Sequence, residues 1–226
     1  MGMITLENGQ AYLALPEAKQ GVEQGAGVLL LHAWWGLTDF FKATADRMAE
    51  EGFVVLAPDL YHGATAKTIE EAQHLNQIYE SDADAMIAQI DGAIDFLTVH
   101  PAVSSDGLGL VGFSMGANWG LYTAHHQPEA IAVLVVFYGT YNGNLSEMRA
   151  AFQGHFAEND DFESREGVEQ LEQTLTGMGL EANVFFYEGT GHWFFEADRP
   201  AYHPESARLS WEWMVKFLHE KLDTPT

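Results

Sequence analysis

The chain has 226 residues, 47% of them apolar, which suits one α/β domain spanning residues 1–226 with a single well-covered core. It carries 33 acidic against 10 basic side chains, a formal charge of −23, and no cysteine. That balance argues against nucleic acid or anionic membrane as partners, and the missing thiols exclude disulfides, thiolate metal sites and a cysteine nucleophile.

No apolar run approaches a membrane span, and Met1 to Leu6 lack the basic and apolar regions of a signal peptide. The expectation is a cytoplasmic protein, monomer or homodimer.

Taken in order, Ala11 to Leu15 reads as an early strand, followed by a turn-rich stretch from Pro16 to Gly27. Val28-Leu-Leu-Leu31 is an unbroken apolar run, the pattern of a strand buried on both faces. It opens into an aromatic loop, His32-Ala-Trp-Trp-Gly-Leu-Thr38. Asp39 is placed to cap a helix with Phe40, Ala43, Ala45, Met48 and Ala49 on its apolar face, and Gly52 ends it. Phe53 to Ala57 is a second buried strand, stopped by Pro58.

Helices follow over Thr68 to Tyr79 and Asp82 to Val99, the second with Met86, Ile90, Ala93, Ile94 and Leu97 on one face. Gly107 to Phe113 is a strand feeding a helix from Met115 to His125, and Ile131 to Phe137 is the most apolar strand. Ala150 to Phe156 and Asn183 to Tyr187 are strands on either side of a helix from Arg165 to Met178. A last helix from Pro204 to Leu222 buries Ala207, Trp211, Met214, Phe217 and Leu218, with Pro at its first turn. Repeated β-then-α order predicts a mostly parallel twisted sheet with helices on both faces and all strand C-terminal ends along one edge. No insertion is long enough for a separate lid domain.

Ligands bind at that edge in open α/β sheets. There Gly112-Phe-Ser114-Met-Gly116 puts a serine at a strand-to-helix turn, flanked by glycines that leave room for a sharp bend. Asp160 and Asp161 follow a later strand, and His192 follows the last. Serine needs a base to become a nucleophile, and the base needs a carboxylate to fix its tautomer. The chain order Ser, Asp, His is that of the α/β-hydrolase arrangement. Backbone N–H groups of Trp34 and Met115 are placed to receive an oxyanion.

His32, Trp35, Trp119, Trp193 and Phe194 are candidates for the substrate pocket because they flank these positions in sequence. Paired His125 and His126 lack a third ligand, so no metal site is expected. No cofactor is expected either.

Several stretches together resemble the dienelactone hydrolase family of α/β-hydrolases. These are Val28-Leu-Leu-Leu-His-Ala-Trp-Trp-Gly-Leu37, Ala57-Pro-Asp-Leu-Tyr61, Gly112-Phe-Ser-Met-Gly116, Tyr138-Gly139, His155-Phe-Ala-Glu-Asn-Asp160 and Tyr187-Glu-Gly-Thr-Gly-His-Trp-Phe194. The resemblance covers most of the chain and places nucleophile, acid and base on Ser114, Asp160 and His192. It departs at three points: serine stands where well-known members have cysteine, Ala33 replaces a loop glutamate, and Glu196 replaces a carboxylate-binding arginine. The implied reaction is hydrolysis of a small uncharged ester or lactone through an acyl-enzyme. The alternatives are a noncatalytic binding protein on the same fold, a thioesterase or a peptidase.

Overall fold

Unbroken apolar runs become strands that hide both faces. β3 (Gly27–Leu31) and β4 (Val54–Pro58) pair in parallel, and every residue of both is buried. Burial at both parities requires cover on both sides, which explains the absence of polar alternation. The fold is that of a computed structural model, which describes residues 1–17 and 24–223, so the stretch from Pro16 to Gly27 lies partly outside the described residues. The chain forms two compact units, Met1–Leu108 and Gly109–Thr226.

In the first unit the strand order is β1-β2-β4-β3, with β1 (Gly2–Leu6) and β2 (Gly9–Ala14) forming an antiparallel hairpin. β1 has no unbroken apolar run to mark it in the sequence, and the hairpin closes through Glu7 and Asn8, since Leu6 pairs with Gly9. β2 pairs antiparallel with β4, Ala11 opposite Pro58, so Pro58 is the last residue of the strand and not a block before its end.

α1 (Asp39–Glu50) corrects two expectations. Thr38 occupies the N-cap position, and Asp39 is the first helical residue, where its charge complements the helix dipole. The buried stripe is Phe41, Thr44, Ala45, Met48 and Ala49; Ala43 is exposed and Phe40 half-buried. Phe41 shares a face with Ala45 and Met48 at the i+4 and i+7 positions, so it takes the inward place. Gly52, at φ 105°, terminates the helix as expected.

α2 (Ile69–Glu80) starts with a capping box between Thr68 and Glu71, and α3 (Ala83–Thr98) starts with the Asp82 side chain accepting the Ala85 N–H. The inward face of α3 is the expected one, with Gln89 added.

In the second unit β5 (Leu108–Phe113), β6 (Ile131–Phe137), β7 (Ala151–Asn159) and β8 (Ala182–Gly191) lie in that order, and β6, β7 and β8 pair in parallel. α4 (Met115–His126), α5 (Arg165–Gly177) and α6 (Pro204–Leu222) complete it, the last burying the predicted stripe. Both α4 and α6 pack on β6.

β7 and β8 run further than the apolar pattern implies. Beyond an irregularity after Ala157, Asn159 still sits opposite Gly191. The residues that follow these two are Asp160 and His192, so the pairing delivers acid and base side by side.

Inside this unit His155 on β7 is fully buried, stacked between Phe137 and Phe185 at 4.7 and 5.7 Å. Gln153 Oε1 can only accept, so His155 Nε2–H donates to it at 3.0 Å, and Nδ1 accepts the Tyr187 hydroxyl at 2.7 Å. Burial pushes its pKa down to about 3. The unfolded chain, with an ordinary imidazole near pH 6.5, therefore binds the extra proton between these values, and stability falls as pH drops through that window. Urea unfolding between pH 6 and pH 4 should show a slope steeper by on the order of 1.4 kcal/mol per pH unit in the wild type than in His155→Gln. Equal slopes would show that His155 is not buried in neutral form.

Candidate active site

Ser114 follows the last residue of β5 and occupies the N-cap of α4 at φ 52° and ψ −112°, backbone space that non-glycine residues rarely enter. Such strain costs roughly 1–3 kcal/mol and persists where the surroundings enforce it. Here the Ser114 N–H donates to Phe137 O at 2.9 Å, and its carbonyl accepts the N–H groups of Ala117 and Asn118 at 2.9 and 3.2 Å. Space is equally constrained. A Cβ on Gly112 would stand 2.3 Å from Gly116 O, and one on Gly139 would stand 2.5 Å from Ser114 O.

A serine at an N-cap ordinarily turns its hydroxyl back to an N–H of the first turn. Ser114 makes no such bond; its Oγ lies 2.9 Å from His192 Nε2. His192 Nδ1 lies 2.8 Å from both oxygens of Asp160, and the two side chains are 5% and 2% exposed. Because the carboxylate can only accept, the ring proton sits on Nδ1, leaving Nε2 to accept from the Ser114 hydroxyl. Asp160 Oδ1 also accepts the N–H groups of Phe162 and Glu163 at 2.9 and 3.1 Å. Asp161 is exposed, and the carboxylate in contact with His192 is that of Asp160.

Around the imidazole lie further side chains. Tyr138, held at φ 39°, places its ring 4.9 Å from that of His192 and donates its hydroxyl to Glu196 Oε1 at 2.8 Å. Burial, then the charge of Glu196, pushes the Tyr138 phenol well above its usual range, so it remains a donor. Glu163 accepts from the Thr140 N–H and hydroxyl at 3.2 and 2.7 Å, and burial raises its pKa. Phe162 stands 4.8 Å from the His192 ring. The one advance signal for Phe162 and Glu163 is their place directly after the acid loop.

Glu196, which stands where the resemblance has a carboxylate-binding arginine, is fully buried, bound to Tyr138 and 3.9 Å from Arg199 Nε. Three of the residues expected at the pocket are buried. His32 is fully buried: its Nδ1–H donates to Ala33 O at 2.7 Å and its Nε2 accepts the Leu60 N–H at 3.2 Å, which fastens the end of β3 to the segment after β4. Trp35 and Phe194, at 2% and 0% exposure, are core. Trp34, Trp119 and Trp193 are part-exposed, Trp193 at φ 67°. Met115 is the first residue of α4.

Among the described residues no group of three or more His, Cys, Asp or Glu is placed to hold a metal ion, and no helix is long and apolar enough to cross a membrane.

Parallel strands, a serine at a strained strand-to-helix turn, and a carboxylate and histidine after the later strands define an α/β-hydrolase. A family model described as the dienelactone hydrolase family matches residues 10–222, and the chain belongs to that family, whose members are hydrolases of ester and lactone bonds. Protein usf of Aquifex pyrophilus is 31% identical over 221 residues, covering 94% of each chain. A putative carboxymethylenebutenolidase of Aquifex aeolicus is 28% identical and covers 92% of each chain. Among solved structures, a putative dienelactone hydrolase from Klebsiella pneumoniae superposes with a TM-score of 0.83 at 22% identity, covering 97% of this chain and 100% of that one.

The turn at Ser114 depends on Gly112. Gly112→Ala should lose about 1–3 kcal/mol, a Tm drop of roughly 2–10 °C, because its Cβ meets backbone. Gly177→Ala at the end of α5, where an added Cβ meets nothing within 4 Å, should leave Tm unchanged or raise it. Thermal melts of the two variants check the contrast.

Proposed function

We propose that this chain is a serine hydrolase of small uncharged carboxylic esters or lactones, working through an acyl-enzyme. The observation that carries the proposal is the continuous set of bonds from Ser114 Oγ to His192 and on to Asp160.

Ser114 Oγ attacks the carbonyl carbon as His192 Nε2 takes its proton, and Asp160 stabilises the imidazolium without taking the proton itself. His192 then gives the proton to the ester oxygen, the bond to the alcohol breaks, and the acyl group stays on Ser114. Water attacks next, again with His192 as base, and the acid leaves. We assign the oxyanion to the backbone N–H of Met115, at the positive end of α4; such a donor is worth about 10²–10³ in rate.

The preference for an uncharged substrate rests on the excess of acids. Asp160 bonds to His192 and Glu163 lies within its electrostatic reach, while Arg199 is engaged by Glu196 and Asp198 at 3.9 and 3.1 Å. The names borne by relatives such as the putative carboxymethylenebutenolidase favour a lactone among the candidates. We place the enzyme in the cytoplasm as one catalytic domain without cofactor. A noncatalytic binding protein would have no need of a strained serine bonded to a buried histidine.

A fluorophosphonate probe should label Ser114 in the folded protein, and Ser114→Ala should abolish both labelling and hydrolysis of a short activated ester; retained hydrolysis would sink the assignment. Asp160→Asn should lower kcat by about 10⁴ through loss of the correct tautomer, whereas Asp161→Asn should change it less than about twofold. Steady-state kinetics of the two variants settle which aspartate acts.

A further inference from the structure

Phe162 is 49% exposed, yet it is not a loose surface ring. Its N–H donates to Asp160 Oδ1 at 2.9 Å, so the carboxylate that holds His192 also holds the Phe162 backbone. Its ring lies 4.8 Å from the imidazole and 5.2 Å from the Trp193 indole. Trp193 in turn stands edge-on to the imidazole at 4.9 Å and 88°, from a backbone held at φ 67°. Positive φ at a bulky residue is uncommon and collects at functional sites. Two aromatic rings of the acid and histidine loops therefore flank the base, one of them half open to solvent.

We propose that Phe162 and Trp193 form the binding lip for the alcohol portion of the substrate, and that the preferred ester carries an aryl or arylalkyl alcohol. This rests on the acyl-transfer reading of Ser114 and His192. In that reaction His192 passes its proton to the ester oxygen as the carbonyl–oxygen bond breaks, so the departing alcohol must lie against the imidazole. The acyl portion stays bonded to Ser114. Groups packed on His192 therefore sense the alcohol, and groups around the oxyanion sense the acid. Aromatic partners suit this lip because ring faces and edges attract at these spacings. The loop bonds hold the lip in place before substrate arrives, which keeps the ordering cost of binding low.

The test is a pair of ester series measured as kcat/KM on the full chain. One varies the alcohol at constant acyl group, from ethyl acetate to benzyl acetate and 2-naphthylmethyl acetate. The other varies the acyl group at constant alcohol, from ethyl acetate to ethyl phenylacetate. In Phe162→Ala the benzyl-to-ethyl ratio should fall about tenfold relative to wild type, with Phe162→Tyr keeping the wild-type ratio. Intrinsic leaving-group reactivity is common to every variant and cancels from this comparison. The phenylacetate-to-acetate ratio should shift less than about twofold. Equal movement of both ratios would overturn the proposal, because the ring would then sense bulk on either side of the ester; movement of neither would overturn it too, because an idle ring and a displaced Asp160 both leave the ratios as they are. A wild-type protein that hydrolyses no ester in either series and takes no phosphonate label at Ser114 would sink the acyl-transfer reading itself, and the lip with it.

Discussion

The backbone of Ser114 is the constraint around which the second unit is arranged. A serine at φ 52° is unfavourable alone, and it is held there from three directions: the Phe137 carbonyl takes its N–H, the first turn of α4 takes its carbonyl, and glycines at 112 and 139 yield the space. The left-handed turn also denies the hydroxyl its usual capping bond. A side chain that would have served the helix is thereby left to serve the imidazole. The four non-glycine residues with positive φ in the described chain are His62, Ser114, Tyr138 and Trp193. The last three bond to or pack against His192, so backbone strain in this unit gathers at one ring.

Asp160 solves a different problem, the placing of a carboxylate in a nearly closed environment. A buried charge is tolerable only when its oxygens are occupied, and Asp160 receives His192 Nδ1–H together with two backbone N–H groups. Those two bonds bend the chain after β7 into a tight turn, which in turn brings Phe162 and Glu163 to the site. Glu163 ties that turn to Thr140, beyond the end of β6. Glu196 is held by the Tyr138 phenol and Arg199. Each of these acids has a donor assigned to it, which is how a chain with a charge of −23 can accommodate them.

Legibility in the sequence tracks how local each cause is. β3, β4 and β6 are unbroken apolar runs and were readable to within a residue, and α6 announces its start with Pro204 and its inward face by spacing. The far ends of β7 and β8 were not readable, because Glu158, Asn159 and Glu188 to Gly191 are polar or small and remain strand only by pairing with each other. Motif, chain order and loop point to Ser114, His192 and Asp160, and the fold brings these three within hydrogen-bond distance. Adjacency in sequence says less about where a side chain goes. His32, Trp35 and Phe194 lie next to the expected site in sequence but turn inward, since neighbouring side chains leave the backbone in different directions. Glu196 is a sharper case: its partner Tyr138 is 58 residues away, and only the fold could show that its charge is spent inside.

The surplus of acid also bears on the end of the reaction. On the acyl-transfer reading the site starts with a neutral ester and finishes with a carboxylate produced at Ser114, beside Asp160 and Glu163. On that reading the new carboxylate would face carboxylates, which oppose its retention. Glu196 has no part in that opposition, because it is turned inward, bonded to Tyr138 and beside Arg199.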